Sequence, residues 1–377
     1  MTTTTTDITD REQVRQLAAR AAEVFASGGL VIFPTETVYG IGASVADEAG
    51  YAKLRAVKGR PDVQPFSVHV PTAEAAIRFV EPSQRMVARL IRKLFPGPVT
   101  LVVDADEAAV AHGLASWGLA DPYRGRMYHE GTIGLRCPEH PLAEAVLGAI
   151  DKPIVASSAN LRGEAPPLTV EDAARALGDE AGLVVDGGPC RYAKPSTIVR
   201  VHRDGRFEVQ REGVYDERTV RRLLRWNLLL VCSGNTCRSP MAEAMAKSLA
   251  AQMRGVAVDQ LEDAGVRITS AGTFAAGGQP ASEQAAAVMR SMGLDLSRHR
   301  SRALLPEMVH EADVILCMTG GHEQAVRAVS PLAAEKVMRL DPEHEIDDPY
   351  GGSEAQYARC ATQLRAVLET RLKELLP

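Results

Sequence analysis

No apolar run in the chain approaches the ~18 residues a membrane-spanning helix needs, and no basic stretch leads into an apolar one at the N-terminus as in a secretory leader. Both absences lead us to expect a cytoplasmic protein with no membrane contact. Cysteine is scarce: six residues (137, 190, 232, 237, 317 and 360) are scattered through 377, with no CxxC pair and no Cys/His spacing of the zinc-site kind. A disulfide framework and a bound metal are therefore not expected. Positive charge is not in excess, since 43 Lys and Arg stand against 48 Asp and Glu, a net charge of −5. Contact with RNA would have to come from a local basic patch. No GxxxxGK[ST] occurs, so any ATP site is not a Walker loop. Internal repeats are absent, and the opening threonines are the only low-complexity tract.

What remains is the composition of a globular protein, 45% apolar and 24% charged, in a chain too long for one ordinary core. Two domains are expected. The organising stretch is VCSGNTCRSPM, Val231 to Met241. It follows the aliphatic run Leu228 to Leu230, which reads as a buried parallel strand, and precedes MAEAMAKSLA, a run of strong helix formers. A thiol at Cys232 and a guanidinium at Arg238, separated by five residues that include Gly234, can converge with backbone N–H groups on one oxyanion at a helix N-terminus. Ser233, Asn235, Thr236 and Ser239 are poor core residues, which argues against simple packing of Cys232 and Cys237.

These residues resemble the signature of the low-molecular-weight protein phosphatases: Cys, five residues, Arg, then Ser or Thr. The likeness extends from about Asn227 to the C-terminus through SAGT at 270–273, DLSRHRSR at 295–302 and DDPYGG at 347–352. A thiol of pKa ~8.5 can fall to roughly 3.5–7.5 at a helix N-terminus, so Cys232 is expected to attack as thiolate. The N–H groups of residues 233–238 and the Arg238 fork would hold the phosphoryl oxygens. Ser239 would stabilise the thiolate, and Asn235 the loop's shape. The resemblance implies that Asp348, the Asp before Pro, is the general acid, with Asp347 in support. Thr236 stands where tyrosine-specific members carry a bulky aliphatic and phosphoarginine-specific members carry Thr. Tyr350 followed by Gly351 and Gly352 suggests one aromatic wall, and we favour phosphoarginine over phosphotyrosine. Arsenate reductases share this loop but relay electrons through further cysteines. Cys317 could be one, but Gln324 stands where its partner would be.

The first half opens with a tail, residues 1–9, that has nothing to bury and is expected to be disordered. Val14, Leu17, Ala18, Ala21, Val24 and Phe25 then recur at helical spacing until Gly28 and Gly29. Leu30 to Phe33 form a strand, followed by TETVYGIG at 35–42, hydroxyls, a carboxylate and glycines just past a strand end, where α/β sheets place ligands. A helix over 46–57 leads to Lys58 and Arg60, two cations that with this loop suggest a polyphosphate and amino-acid pocket. Strands with polar ends follow in FPGPVTLVV (95–103), TIGLRCP (132–138), PIVASSAN (153–160) and KPSTIV (194–199). Residues 104–130 read as a variable loop with some helix around Trp117.

Together these stretches resemble the YrdC/Sua5 family, which makes threonylcarbamoyl-adenylate and pyrophosphate from threonine, bicarbonate and ATP for tRNA modification. The likeness covers about Asp10 to Gly213, without the extra C-terminal domain of longer Sua5 proteins. The resemblance implies that Thr37, His69, Arg136, Ser158 and Ser196 hold threonine, and that Lys58, Arg60, Thr132, Asn160 and Arg211 hold ATP, with Mg2+ accompanying the nucleotide. It also implies transfer to tRNA-modifying partner proteins. The competing reading is a non-catalytic RNA-binding module. The expected fold is α/β in two domains: a twisted mixed sheet with a basic cavity over 10–213, and a parallel sheet with helices on both faces over 227–377. A short helical linker, 214–226, would join them.

Overall fold

The computed structural model describes residues 3–5, 9–59 and 66–376. The chain divides into two compact units, Met1–Leu224 and Arg225–Pro377. Each unit is α/β.

In the first unit the strands are β1 (Thr3–Thr5), β2 (Val31–Phe33), β3 (Gly40–Ser44), β4 (Ser67–His69), β5 (Val99–Asp104), β6 (Tyr128–His129), β7 (Thr132–Arg136), β8 (Ile154–Ser158), β9 (Leu183–Asp186), β10 (Thr197–Val201) and β11 (Phe207–Arg211). They form one mixed sheet in the order β1-β9-β2-β3-β8-β4-β7-β5-β10-β11, with β6 on β7. Side-chain alternation gives the two faces different jobs. Val68, Leu101, Leu135, Val155 and Val199 belong to one large apolar cluster. On the other face the register aligns Thr100 with Arg136 and Arg136 with His69. That places three polar side chains side by side on neighbouring central strands.

The helix Arg11–Ala26 starts where Asp10 accepts hydrogen bonds from the N–H groups of Glu12 and Gln13. It buries Leu17, Ala21 and Phe25, one stripe four residues apart, against Val31, Phe33 and Val185. The next helix, Glu48–Lys58, ends on Gly59 at φ 53°, a left-handed cap that presents Lys58 at the last turn.

Three expectations need correction or refinement. Within the tail, Thr3–Thr5 run parallel to β9. Edge pairing is made by backbone groups and needs no apolar side chain. Residues 104–130 hold the helix expected around Trp117, Glu107–Ser116, and beyond that expectation a short turn of helix at Arg124–Met127 and the strand β6. Trp117 is buried there, stacked on Phe79 at 5.6 Å with Arg78 over its ring at 3.6 Å, a packing the mixed composition conceals. Finally, the helix Glu217–Leu223 is part of the first unit, because Val220 and Leu224 join its core and Arg89 donates to the Leu224 carbonyl at 3.1 Å.

The second unit is a parallel sheet of β12 (Trp226–Cys232), β13 (Val266–Gly272), β14 (Val314–Cys317) and β15 (Val337–Arg339), ordered β13-β12-β14-β15. Successive residues of β12 go to opposite cores. Leu228, Leu230 and Cys232 pack with Met241, Met245 and Leu364 of the helices Arg238–Arg254 and Glu354–Leu375. Leu229 and Val231 pack with Val309 and Val326 of the helices Pro306–Glu311 and Gly320–Val329. Burial on both faces explains why Leu228 to Val231 read as an unbroken apolar run.

Candidate active sites

The chain leaves β12 at Cys232, curls through residues 233–237 and enters the helix at Arg238. Asn235 holds the curl at φ 54°, a left-handed conformation that asparagine tolerates. Its side-chain nitrogen donates to Ser239 Oγ at 2.9 Å and Ser270 Oγ at 2.8 Å, and its Oδ1 accepts from the Arg302 N–H at 2.9 Å. Ser270 in turn donates to Glu243 at 2.6 Å. His299 Nε2 lies 2.8 Å from the Asn235 carbonyl, which can only accept, so that nitrogen carries the proton. Gly272 lets β13 approach: a Cβ there would sit 2.4 Å from the Ser233 carbonyl. The sulfur of Cys232 lies 3.0 Å from Ser239 Oγ and accepts from the Asn235 N–H at 3.2 Å. Two donors are therefore available to a negative sulfur.

Arg238 is 4% exposed. Its Nη1 donates to the Ile346 carbonyl at 3.2 Å, and its Nη2 to Ser233 Oγ at 3.3 Å and Asp348 Oδ2 at 2.5 Å. The carboxylate that meets the guanidinium is thus that of Asp348 rather than Asp347. Asp348 Oδ1 also accepts from the Tyr350 N–H at 3.2 Å, a turn that fixes the carboxylate's direction. Cys237 points away from the loop, its sulfur 3.2 Å from the Tyr357 hydroxyl and donating to Ser282 Oγ at 3.4 Å. Thr236 is half-buried, and Gly234 lies in the loop between Ser233 and Asn235. Cys317 belongs to the core on the opposite face from Cys232, where burial pushes its thiol up to about 12.

His322 and Phe274, which the motifs do not single out, also bond to the loop. His322 Nε2 is 2.9 Å from Ser233 Oγ. Phe274 is 86% and Tyr350 78% exposed, although both are large apolar rings. The Phe274 N–H donates to the Ser233 carbonyl at 2.9 Å, which ties its backbone to the loop. Phe274 is therefore a second exposed ring on a segment whose backbone is bonded to the loop. Sequence proximity to Asp348 drew attention to Tyr350, whereas Phe274 reaches the loop only through the β12–β13 pairing.

In the first unit, Thr35 Oγ1 accepts from the N–H groups of Thr37 and Val38, both at 3.1 Å, and so shapes the loop after β2. Arg136 and Glu36 form a buried pair, 3% and 2% exposed, at 2.6 Å. Arg136 Nη2 also donates to Thr37 Oγ1 at 3.3 Å, while Nη1 donates to the carbonyls of Gly97 and Val99. Both terminal nitrogens of Arg136 are thereby committed to the protein. Glu36, the carboxylate of the TETVYG loop, is the partner that motif reading left without a role. His69 lies beside Arg136 on the neighbouring strand. Its Nδ1 is 3.1 Å from the Ser67 carbonyl and therefore carries the proton. Burial, opposed by that bond and reinforced by Arg136, lowers its pKa to about 4, so the ring is neutral with Nε2 as an acceptor. Ser196 Oγ is 2.9 Å from Thr100 Oγ1, on the strand register of Arg136.

Lys58 is buried and donates to the Ser158 carbonyl at 2.9 Å, the Asn160 carbonyl, and Asn160 Oδ1 at 3.3 Å. Ser158 Oγ donates to the same amide oxygen at 2.5 Å. Lys58, Ser158 and Asn160 thus form one cluster. Arg211 Nη2 donates to the Ser196 carbonyl at 2.8 Å, next to the Thr100–Ser196 pair. Thr132 shares a face of β7 with Arg136 but lies at the far end of the strand, roughly 13 Å away at ~3.3 Å per residue. Arg60 falls outside the described residues. Among the described residues no group of three or more His, Cys, Asp or Glu could hold a metal ion, and no helix is long and apolar enough to cross a membrane.

Residues 23–213 match the Sua5/YciO/YrdC family model, described as "Telomere recombination". The chain belongs to that family. A putative threonylcarbamoyl-AMP synthase of Mycobacterium tuberculosis is 36% identical over 197 residues, 52% of this chain and 84% of the relative. The threonylcarbamoyl-AMP synthase of Bacillus subtilis is 31% identical over 194 residues, 51% of this chain and 53% of the relative. Residues 227–376 match the low molecular weight phosphotyrosine protein phosphatase model and form a second enzyme domain of that family. Among solved structures, a YwlE arginine phosphatase from Geobacillus stearothermophilus is 34% identical, covering 40% of this chain and 92% of its own, with a TM-score of 0.35. A low molecular weight protein tyrosine phosphatase from T. tengcongensis is 32% identical, covering 40% and 99%, with a TM-score of 0.36. The assignment of the second unit rests on the family model and the geometry of its loop.

Proposed function

We propose that the second unit, residues 227–377, hydrolyses a phosphoprotein through a cysteinyl-phosphate. The observation that carries this reading is the convergence of Cys232, Ser239, Arg238 and Asp348 on one loop. Cys232 Sγ attacks phosphorus, the bond to the leaving group breaks, and protonated Asp348 gives the leaving atom its proton. Backbone N–H groups of residues 233–238 and Arg238 hold the three equatorial oxygens. In the free enzyme Asp348 occupies Arg238 Nη2, so an incoming phosphoryl group displaces it toward the mouth, where the leaving group departs. Water then attacks the cysteinyl-phosphate and gives a proton to Asp348. The P–S bond breaks, and the Ser239 hydroxyl and Asn235 N–H stabilise the released sulfur.

Phosphoarginine is the favoured substrate. Thr236 offers a hydroxyl beside the site where an aliphatic would suit a phenol ring, and Phe274 and Tyr350 supply exposed ring faces that a planar guanidinium can stack on. Rates on phosphoarginine and phosphotyrosine peptides of the same sequence test this, and a preference for phosphotyrosine would reverse it. A thiol relay of the arsenate-reductase kind has little support, since Cys317 faces the opposite core.

We propose that the first unit, residues 10–213, makes L-threonylcarbamoyl-AMP and pyrophosphate from L-threonine, bicarbonate and ATP, for tRNA modification by partner proteins. Thr37, His69, Ser158 and Ser196 would hold threonine, with Arg136 shaping Thr37 and Glu36 around it. His69 Nε2 would accept from the threonine hydroxyl or ammonium. Lys58, Arg60, Thr132, Asn160 and Arg211 would hold ATP, with Mg2+ arriving on the nucleotide. Lys58 gathered with Ser158 and Asn160 supports this reading most directly. ATP/pyrophosphate exchange that requires both threonine and bicarbonate tests it, and exchange independent of both would exclude it.

A further inference from the structure

Ser233 directly follows the nucleophile, and the closure of the loop does not use its side chain. Its Oγ accepts from Arg238 Nη2 at 3.3 Å and lies 2.9 Å from His322 Nε2. His322 is 7% exposed and sits in the first turn of the helix Gly320–Val329. The residue before that helix, Thr319, accepts from the His322 N–H at 3.4 Å, and its Oγ1 is 2.8 Å from His322 Nδ1. Both ring nitrogens are therefore engaged by hydroxyls. Burial, followed by the charge of Arg238, lowers the His322 pKa to about 4, so the ring is neutral with one donor and one acceptor. Either hydroxyl can take either role, and in both tautomers Ser233 Oγ keeps a lone pair for Arg238.

The catalytic cycle makes this contact matter. Asp348 holds Arg238 Nη2 in the free enzyme and has to leave it when the phosphoryl group binds. At that nitrogen Ser233 Oγ then remains as an acceptor, while the Ile346 carbonyl anchors Nη1. Without Ser233 the fork could rotate about its stem at the moment when charge spreads over the equatorial oxygens.

We propose that Thr319, His322 and Ser233 form a positioning arm that fixes the plane of the Arg238 fork for phosphoryl transfer. The inference rests on the phosphatase reading of the second unit. His322 acts through Ser233 and touches no substrate atom. Losing one fixed contact to a charged donor that matters most in the transition state should lower kcat by about tenfold, with KM changed less. Two residues of one arm should also fail to add.

The test uses the full chain with p-nitrophenyl phosphate, comparing wild type, Ser233→Ala, His322→Leu, His322→Gln and the double variant Ser233→Ala/His322→Leu, each with a thermal melt. Both single removals should lower kcat about tenfold, and the double variant should be no slower than the slower single. His322→Gln, whose amide can still bond Ser233, should recover most of the rate at a similar melting temperature. Wild-type kcat in folded His322→Leu, multiplying effects in the double variant, or a Gln variant as slow as Leu would each overturn the arm. An inactive wild type would overturn the phosphatase reading and the arm with it, whereas an active wild type with unaffected variants would overturn the arm alone.

Discussion

On the proposed functions, the two units of this chain would hold phosphate in opposite ways. In the second, a single short loop would supply the nucleophile, the row of N–H groups and the arginine, with helix geometry doing most of the positioning. In the first, with no Walker loop, the proposed polyphosphate and amino-acid site is assembled from side chains on many strands and loops. Lys58 comes from a helix end, Ser158 and Asn160 from the end of β8, and Thr37 and Arg136 from β2–β3 and β7. A backbone cradle is local and survives most side-chain changes outside its turn, whereas a side-chain cradle depends on the register of the whole sheet. The same contrast decides what a single substitution should do.

The largest effect expected on the first unit is at Lys58. Its removal deletes a buried ammonium and leaves the carbonyls of Ser158 and Asn160 without their donor. A charged hydrogen bond from this ammonium to the polyphosphate would be worth about 1.5–3 kcal/mol, so Lys58→Ala should weaken ATP use about tenfold to a hundredfold in the exchange assay. Unchanged ATP dependence in a folded variant would remove the nucleotide from this cluster and break the contrast. His69→Ala should act instead through threonine, seen as a raised threonine requirement at saturating ATP.

In the second unit, Asp348→Asn should slow hydrolysis by about 10²-fold or more on substrates with poor leaving groups and far less on aryl phosphates with very acidic phenols. Equal losses on both would give Asp348 the role of an Arg238 anchor only, and Asp347 would be tested next. The smallest effect concerns Cys237. A Cys232–Cys237 bond needs Cα atoms about 5.5–6 Å apart, and the Cys237 thiol would have to turn from Tyr357 and Ser282 toward Cys232. Mild peroxide should then inactivate wild type reversibly and Cys237→Ser irreversibly, because a resolving thiol captures the sulfenic acid. Equal recovery of both on adding thiol would show that Cys237 merely packs.

The contrast also explains what was legible in the amino-acid sequence. Val231 to Met241 could be read in one piece because strand, loop and helix are consecutive and the thiol, the loop N–H groups and the arginine all lie within it. Asp348 needed the family likeness, since an Asp before Pro is ordinarily only a turn. Glu36 and the commitment of both terminal nitrogens of Arg136 could not be read, because the ion pair joins residues a hundred apart through the strand register. The same holds for His322, which meets Ser233 from the far side of β14, and for Phe274. The helix expected around Trp117 is present, but the burial of its ring by Phe79 and Arg78 has no local periodic signature.

The central claim is that two independent enzymes share this chain, each complete on its own core. Its most direct test is to measure both activities on one preparation of Cys232→Ser: phosphatase turnover, and threonine- and bicarbonate-dependent ATP/pyrophosphate exchange. Turnover should vanish while exchange stays at the wild-type rate. Loss of both activities in a protein that still melts cooperatively would contradict it.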